Sequence, residues 1–417
     1  MKKEQIINNY LYFGYLPPKS IPAWLNSAFK PSDAFDYSIE GASALFDKVF
    51  DELVTQHPDS NHLIPLSGGW DSRAILGALF ERVDRSNIET VTFGVPGQLD
   101  YDVGIKIAKW AGIQLHALDL RQIEFTWDQL LKSVEKSPWT YVPDAYFNHF
   151  ARSVETSVET IWTGFLGDPL TGSHLMDYST SLYCQKSIRE GQKKIQDIYL
   201  PNKLNEPIYN YKIDNVNIRI DDYLDLGVRQ SYCIAPITLP VSNLSILQTH
   251  FEEENKTVIA PFAQFDFVNY WLKAPVELRK NQQLYLQMLK FKFQELFALP
   301  SKYSLGLKNK SGVMYHTRRI QQGVVRRIQK RAPWLGIRST AHLNYLDYDK
   351  MFRTRPDYQN TLNEALDYLK ENEITPWLPL DKMVKDHMHR KKEYGGAFCV
   401  LIGLAANLKV NYQENEI

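Results

Sequence analysis

Between Ile39 and Gln56, apolar residues recur at helical spacing: Ala42, Leu45, Phe46, Val49, Phe50 and Leu53 share one face of a 3.6-residue repeat. After the turn Pro58-Asp59-Ser60, the short apolar run His62-Leu63-Ile64-Pro65-Leu66 predicts a strand. Ser67-Gly68-Gly69 follows, and then a helix through Ala74, Ile75, Ala78 and Leu79. The alternation continues with a strand over 89–95, a helix over 101–111, a strand over 114–120, a helix near 146–158 and a strand over 160–163. This rhythm predicts an α/β fold, a parallel sheet flanked by helices on both faces. Ligands of such folds sit at the carboxyl ends of the strands, where both glycine-bearing loops fall.

The flanking segments read differently. Residues 6–30 mix aromatics with Pro17, Pro18 and Pro22, so an irregular lead-in is expected there. From about residue 205 helical patterns dominate, with loops at 201–207 and 301–312. The tail over 381–408 reads as one or two helices broken at Gly395-Gly396. The expected division is a lead-in and packing helix over 1–60, an α/β core over 61–200, and a helical part over 201–417 that completes the substrate site.

Composition excludes several classes of protein. With 417 residues, 44% hydrophobic and 23% charged, the chain has the profile of a folded globular protein. Lysine plus arginine equals aspartate plus glutamate at 48 each, so no global charge selects a polyanion. One local patch, over 316–331, carries Arg318, Arg319, Arg326, Arg327, Lys330 and Arg331 without an acid. Ile320, Val324 and Ile328 recur there every four residues, which predicts a solvated basic helix packed by one apolar stripe rather than a nucleic-acid surface. Cys184, Cys233 and Cys399 make neither a C-x-x-C pair nor a disulfide framework, which fits a cytoplasmic location. The longest apolar run, 395–408, falls short of the roughly 20 residues that span a bilayer, so a buried helix and no membrane partner are expected.

The chemistry concentrates in Leu66-Ser67-Gly68-Gly69-Trp70-Asp71-Ser72, between a predicted strand and a predicted helix. Two glycines let the backbone approach a ligand closely and adopt angles closed to other residues. Their amides, backed by a helix amino terminus, suit a pyrophosphate, and the hydroxyls of Ser67 and Ser72 can add donors. Asp71 beside a phosphate requires a cation between them, which makes it a Mg2+ ligand. The bland alternative is a glycine turn whose Ser or Asp caps the helix. The spacing matches neither the lysine-bearing phosphate loop nor G-x-G-x-x-G. His62, His116, His149 and His174 form no metal-spaced set.

These residues resemble the synthetase domain of the asparagine synthetase family, within the N-type ATP pyrophosphatases (the PP-loop superfamily). The likeness continues through Thr92-Phe93-Gly94, Asp100-Tyr101-Asp102, Thr163-Gly164-Phe165-Leu166-Gly167-Asp168, Pro261-Phe262 and the carboxyl-terminal stretch from His387. The resemblance implies ATP and Mg2+ as cofactors, with Asp71 and Asp168 holding the metal. Leu66, Thr92, Phe93 and Gly164 would border the nucleotide beside Ser67, Gly68, Gly69 and Ser72. Lys308 would be the catalytic lysine over the pyrophosphate, with Lys310 the alternative.

Three departures qualify the likeness. Phe165 stands where the family has an acid, and Pro261-Phe262-Ala263-Gln264 replaces its Pro-Phe-Leu-Asp. By the resemblance no amino-terminal glutaminase activity is expected, since residue 2 is Lys2 where the family has a nucleophilic cysteine. The implied reaction adenylates a small-molecule or peptide carboxylate, releases pyrophosphate, and forms an amide with a substrate amine, ammonia, or ammonia from a separate amidotransferase. β-Lactam synthetases and lasso-peptide cyclases are relatives of this kind. Asp266, Glu252 and the amine itself stay open as bases. The competing classes are a PP-loop RNA-modifying enzyme and a nucleotide-binding relic without chemistry.

Overall fold

A computed structural model describes residues 3–16, 35–58, 60–152, 158–173, 255–307, 312–332, 335, 337 and 346–412. Its centre is a sheet of five parallel strands: β1 His62–Pro65, β2 Ile88–Gly94, β3 Gln114–Asp119, β4 Thr160–Trp162 and β5 Thr257–Ile259. Their spatial order is β3-β2-β1-β4-β5. Leu63 lies opposite Glu89 of β2 on one side and Ile161 of β4 on the other. β1 is thus central, which explains why it is a continuous apolar run rather than an alternating one.

Alternate residues serve two faces. Ile64, Ile88, Trp162 and Ile259 join the core shared with helices Ile39–Thr55, Asp71–Phe80 and Leu99–Ala111. Leu63, Val91, Ile161 and Val258 form a separate cluster. Helix Ile39–Thr55 starts at Ser38, whose side chain accepts the Gly41 N–H, and its Phe50 stacks on Trp162 with ring centroids 5.7 Å apart. That stack ties the packing helix to β4.

A second, helical core surrounds Gly395–Asn411, which is buried without interruption from Ala397 to Leu408. Helices Lys3–Phe13, Trp127–Lys136, Val142–Arg152, Tyr348–Thr354 and Pro356–Glu371 pack on it. An all-apolar helix needs such complete cover. No helix among the described residues is long and apolar enough to cross a membrane.

The structure refines several sequence expectations. The lead-in contains a helix, Lys3–Phe13, whose Ile6, Ile7, Tyr10 and Leu11 are buried. The helix expected near 146–158 runs over Val142–Arg152 within the described residues, and an unforeseen helix, Trp127–Lys136, precedes it. β5 comes from the stretch read as helical and completes the sheet beside β4. The tail forms two helices, Leu380–Met388 and Gly395–Asn411, and the break falls just before the glycine pair, which opens the second. Gly395 N–H donates to Asp349 Oδ1 at 2.7 Å, and a Cβ there would lie 2.5 Å from the Asp349 nitrogen.

The basic helix forms as Val313–Arg331, but its apolar stripe is not packed: Ile320 is 68% exposed and Val324 47%. The stripe faces outward.

Candidate active site at the strand-order reversal

From β1 the chain moves outward to β2 and β3 on one side, and later to β4 and β5 on the other. The loops leaving β1 and β4 therefore diverge at the carboxyl edge of the sheet, the position where ligands of such folds bind. The glycine loop 67–70 follows β1, and the loop 163–166 follows β4.

Inside the first loop the serines brace the backbone. Ser67 N–H donates to Ser72 Oγ at 3.1 Å, the two hydroxyl oxygens lie 3.2 Å apart, and Gly69 N–H donates to Ser67 Oγ at 3.2 Å. Helix Asp71–Phe80 has Trp70 at its cap position with no side-chain cap bond. The bland reading, a Ser or Asp spent on capping, does not describe this turn. Neither Gly68 nor Gly69 has a positive φ, so the expected unusual backbone angles are absent. Space is what requires glycine here. A Cβ on Gly68 would come within 3.1 Å of the Leu99 carbonyl oxygen and 3.2 Å of Asp100 Oδ1.

The second loop presses against Asp71. A Cβ on Gly164 would lie 3.0 Å from Asp71 Cβ, and one on Gly167 only 2.4 Å from Asp71 Cγ. Between them, Leu166 is buried at φ 73°, a left-handed angle that costs a leucine on the order of 1–3 kcal/mol. This left-handed turn leads directly into helix Gly167–Thr171, whose second residue, Asp168, interacts with Asp71.

The carboxyl groups of Asp71 and Asp168 interact directly. Burial first, and the Asp168 charge second, hold the Asp71 carboxyl well above the usual carboxylate range. Tyr285 Oη donates to Asp71 Oδ1 at 3.1 Å, and burial together with Asp71 pushes the Tyr285 phenol well above its ordinary value. Gln282 Nε2 donates to Thr171 Oγ1 at 2.7 Å and to Asp168 Oδ1 at 3.4 Å. Gln282 is itself left-handed, at φ 58°.

This pair fits a divalent cation. Two facing carboxylates repel, and a cation between them would relieve that repulsion. Among the described residues no group of three or more His, Cys, Asp and Glu is arranged to hold a metal. One or two carboxylates completed by phosphate oxygens and water is the usual Mg2+ arrangement at nucleotide sites.

A third segment, 296–306, closes the side of the first loop. Lys302 N–H donates to the Gly68 carbonyl oxygen at 3.0 Å. Lys302 Nζ lies 3.3 Å from Asp100 Oδ1 and 3.6 Å from where a Gly69 Cβ would be. Tyr303 and Phe297 stack on the Trp70 ring at 5.2 and 5.7 Å. Arg73, one turn into the helix, donates to the carbonyl oxygens of Leu296, Leu299 and Pro300 at 3.3, 3.2 and 2.7 Å. Burial without a carboxylate partner lowers its pKa to about 10.

The remaining expected residues distribute as follows. Leu66 is buried and donates its N–H to the Val91 carbonyl oxygen at 2.8 Å, while Thr92 Oγ1 donates to the Leu66 carbonyl oxygen at 2.9 Å. Phe93 is partly buried against the helical core, and Phe165 against the cluster on the sheet. Asp266 is paired with Lys48 at 2.6 Å on an exposed surface. Lys308, Lys310, Glu252, His174, Cys184 and Cys233 lie outside the described residues, as does the side chain of His149. His62 is buried against Thr160 and Trp162, and His116 pairs with Glu89 at 2.7 Å.

Sequence reading missed Tyr285, Gln282, Lys302 and Tyr303. The chain separates Tyr285 from Asp71 by 214 positions and Gln282 from Asp168 by 114. No local motif marks them. No family model and no curated protein sequence matches the chain.

Proposed function

We propose that the chain is an ATP-dependent carboxylate–amine ligase of the asparagine synthetase type, with the PP-loop fold. The observation that carries this reading is the carboxylate pair Asp71 and Asp168, set beside the glycine turn at the strand-order reversal. A purely structural site gains nothing from two half-buried acids brought together beside Gly164, Gly167 and a left-handed Leu166.

In this reading the turn 67–70 and the amino terminus of helix Asp71–Phe80 receive the β- and γ-phosphates of ATP. Asp71 and Asp168 hold Mg2+, which supplies charge neutralisation at the triphosphate. Tyr285 and Gln282 fix the rotamers of the two acids. Leu66, Thr92, Phe93 and Gly164 border the nucleoside. An oxygen of the substrate carboxylate attacks the α-phosphorus, the bond to the bridging oxygen breaks, and pyrophosphate leaves. The amine nitrogen then attacks the resulting acyl-adenylate carbonyl, expelling AMP and losing a proton. Lys308, with Lys310 as the alternative, stabilises the charge on pyrophosphate. Phe165 cannot accept the proton, and Asp266 is engaged with Lys48. Glu252, which lies outside the described residues, and the amine substrate itself are the remaining acceptors. The acid is a small molecule or a peptide, and the nitrogen comes from a substrate amine, ammonia or a separate amidotransferase in the cytoplasm.

The test is isotope exchange between labelled pyrophosphate and ATP in the presence of candidate acids. Exchange that depends on a carboxylate and on Mg2+ supports the ligase. ATP binding without exchange for any acid supports a relic instead.

A further inference from the structure

We propose that Lys302 is the cation that receives the terminal phosphates of the nucleotide, and that Asp100 holds it in waiting at the rim of the glycine turn. This rests on the ATP reading above and adds a residue to it.

Gly68 and Gly69 lie between two opposite charges. The Asp100 carboxylate is on one side, close enough that a Cβ on Gly68 would be 3.2 Å from Oδ1. The Lys302 ammonium is on the other, its Nζ and Cε 3.6 and 3.7 Å from a Cβ built on Gly69. The two charges meet over the turn, with Nζ 3.3 and 3.4 Å from the two Asp100 oxygens. Both distances are long for a charge-assisted bond, whose usual length is about 2.7–2.9 Å. The pair is in reach but not clasped.

Lys302 is also unusually well placed for a flexible side chain. Its own N–H is fastened to the Gly68 carbonyl oxygen, and its neighbour Tyr303 stacks on Trp70. Ser301 and Ser304 close a capping box around it, and Leu305 turns left-handed at φ 55° to end the turn. The backbone of Lys302 is therefore built onto the glycine loop, and only the stem beyond Cβ is left to swing.

An aspartate this close to a phosphate cradle would repel the ligand unless its charge were answered. Lys302 answers it. When a triphosphate enters the turn, the ammonium can move from a carboxylate carrying one charge to phosphates carrying several, and water takes up the vacated side of Asp100.

The experiment is calorimetric titration of the full chain with Mg-ATP, Mg-pyrophosphate and AMP, comparing the parent with Lys302→Met, Lys302→Arg and Asp100→Asn. Methionine keeps the stem and removes the charge. Lys302→Met is expected to weaken Mg-ATP and Mg-pyrophosphate by about tenfold or more while leaving AMP within about threefold, and Lys302→Arg restores most of the loss. Asp100→Asn is expected to bind Mg-ATP at least as tightly as the parent. If Lys302→Met binds Mg-ATP like the parent, or loses AMP as severely as ATP, Lys302 is only a brace and the proposal is wrong. A parent that binds no nucleotide overturns the ATP reading itself, which is a separate outcome. Equal melting temperatures across the set exclude misfolding as the cause, and Asp100→Asn supplies the opposite-sign control.

Discussion

Gly167 lies directly under the carboxyl group of Asp71, with room for a hydrogen and nothing more: a Cβ would sit 2.4 Å from Cγ and 2.6 Å from Oδ1. Gly167 has no positive φ, so an alanine there would suffer from contact rather than backbone angle. Gly167→Ala should displace the Asp71 carboxyl from Asp168 and weaken Mg-ATP binding by about tenfold or more, with a stability loss of about 1–3 kcal/mol from overpacking. Titration calorimetry and urea unfolding check the two effects. An alanine variant that binds like the parent would mean that this contact does not place Asp71.

Tyr285→Phe removes the hydroxyl that is aimed at Asp71 Oδ1. The loss of a hydrogen bond to a charged group, about 1.5–3 kcal/mol, should appear in divalent-ion affinity far more than in folding. Nucleotide-dependent Mg2+ titration reads it directly. An unchanged affinity would assign Tyr285 to packing alone.

Arg73 acts as a structural fastener. It is buried, stacks on Trp70 and Phe297, and serves three carbonyl oxygens of the segment that leads to Lys302. Arg73→Ala should cost about 2–4 kcal/mol, because those carbonyls lose their donors inside the protein. Lys is no substitute for a guanidinium fork that spans several acceptors. Arg73→Lys should therefore recover little stability in denaturant unfolding, and amide exchange in 296–303 should quicken. Full recovery by lysine would contradict this role.

His62 gives the pH prediction. Burial lowers its pKa from 6.5 to about 4, so the folded protein holds it neutral while the unfolded chain protonates it near 6.5. Stability from this group is complete above pH 6.5 and is lost as the pH falls toward 4. The shift corresponds to about 3 kcal/mol at most. Urea unfolding from pH 7 to pH 4 should show a steeper decline in the parent than in His62→Asn, which cannot titrate there. Parallel curves would place the acid sensitivity elsewhere.

The alternating core was readable because each strand and helix was announced by its own residues. The run His62–Leu66 is apolar throughout because β1 is covered on both faces, and glycines mark both loops at the strand-order reversal. The helix Lys3–Phe13 was hidden by emphasis rather than by absence of signal. Ile6, Ile7, Tyr10 and Leu11 have helical spacing, but the prolines that follow suggested irregularity. β5 has three residues and depends on β4 for its identity, so only the assembled sheet defines it. Tyr285, Gln282 and Lys302 are ordinary residues in their local segments and acquire a role through distant partners. The outward stripe of Ile320 and Val324 illustrates the converse, since helical periodicity specifies a face but not what covers it.

The most direct measurement of the carboxylate-held metal site is Mn2+ binding followed by electron paramagnetic resonance, with and without ATP, in the parent, Asp71→Asn and Asp168→Asn proteins. Mn2+ serves as a visible substitute for Mg2+ at a carboxylate and phosphate site. A tight nucleotide-dependent site is expected in the parent, with at least about a tenfold loss in each single variant, since either acid alone leaves the ion half held. Undiminished Mn2+ binding in both variants would contradict a metal clasped between Asp71 and Asp168.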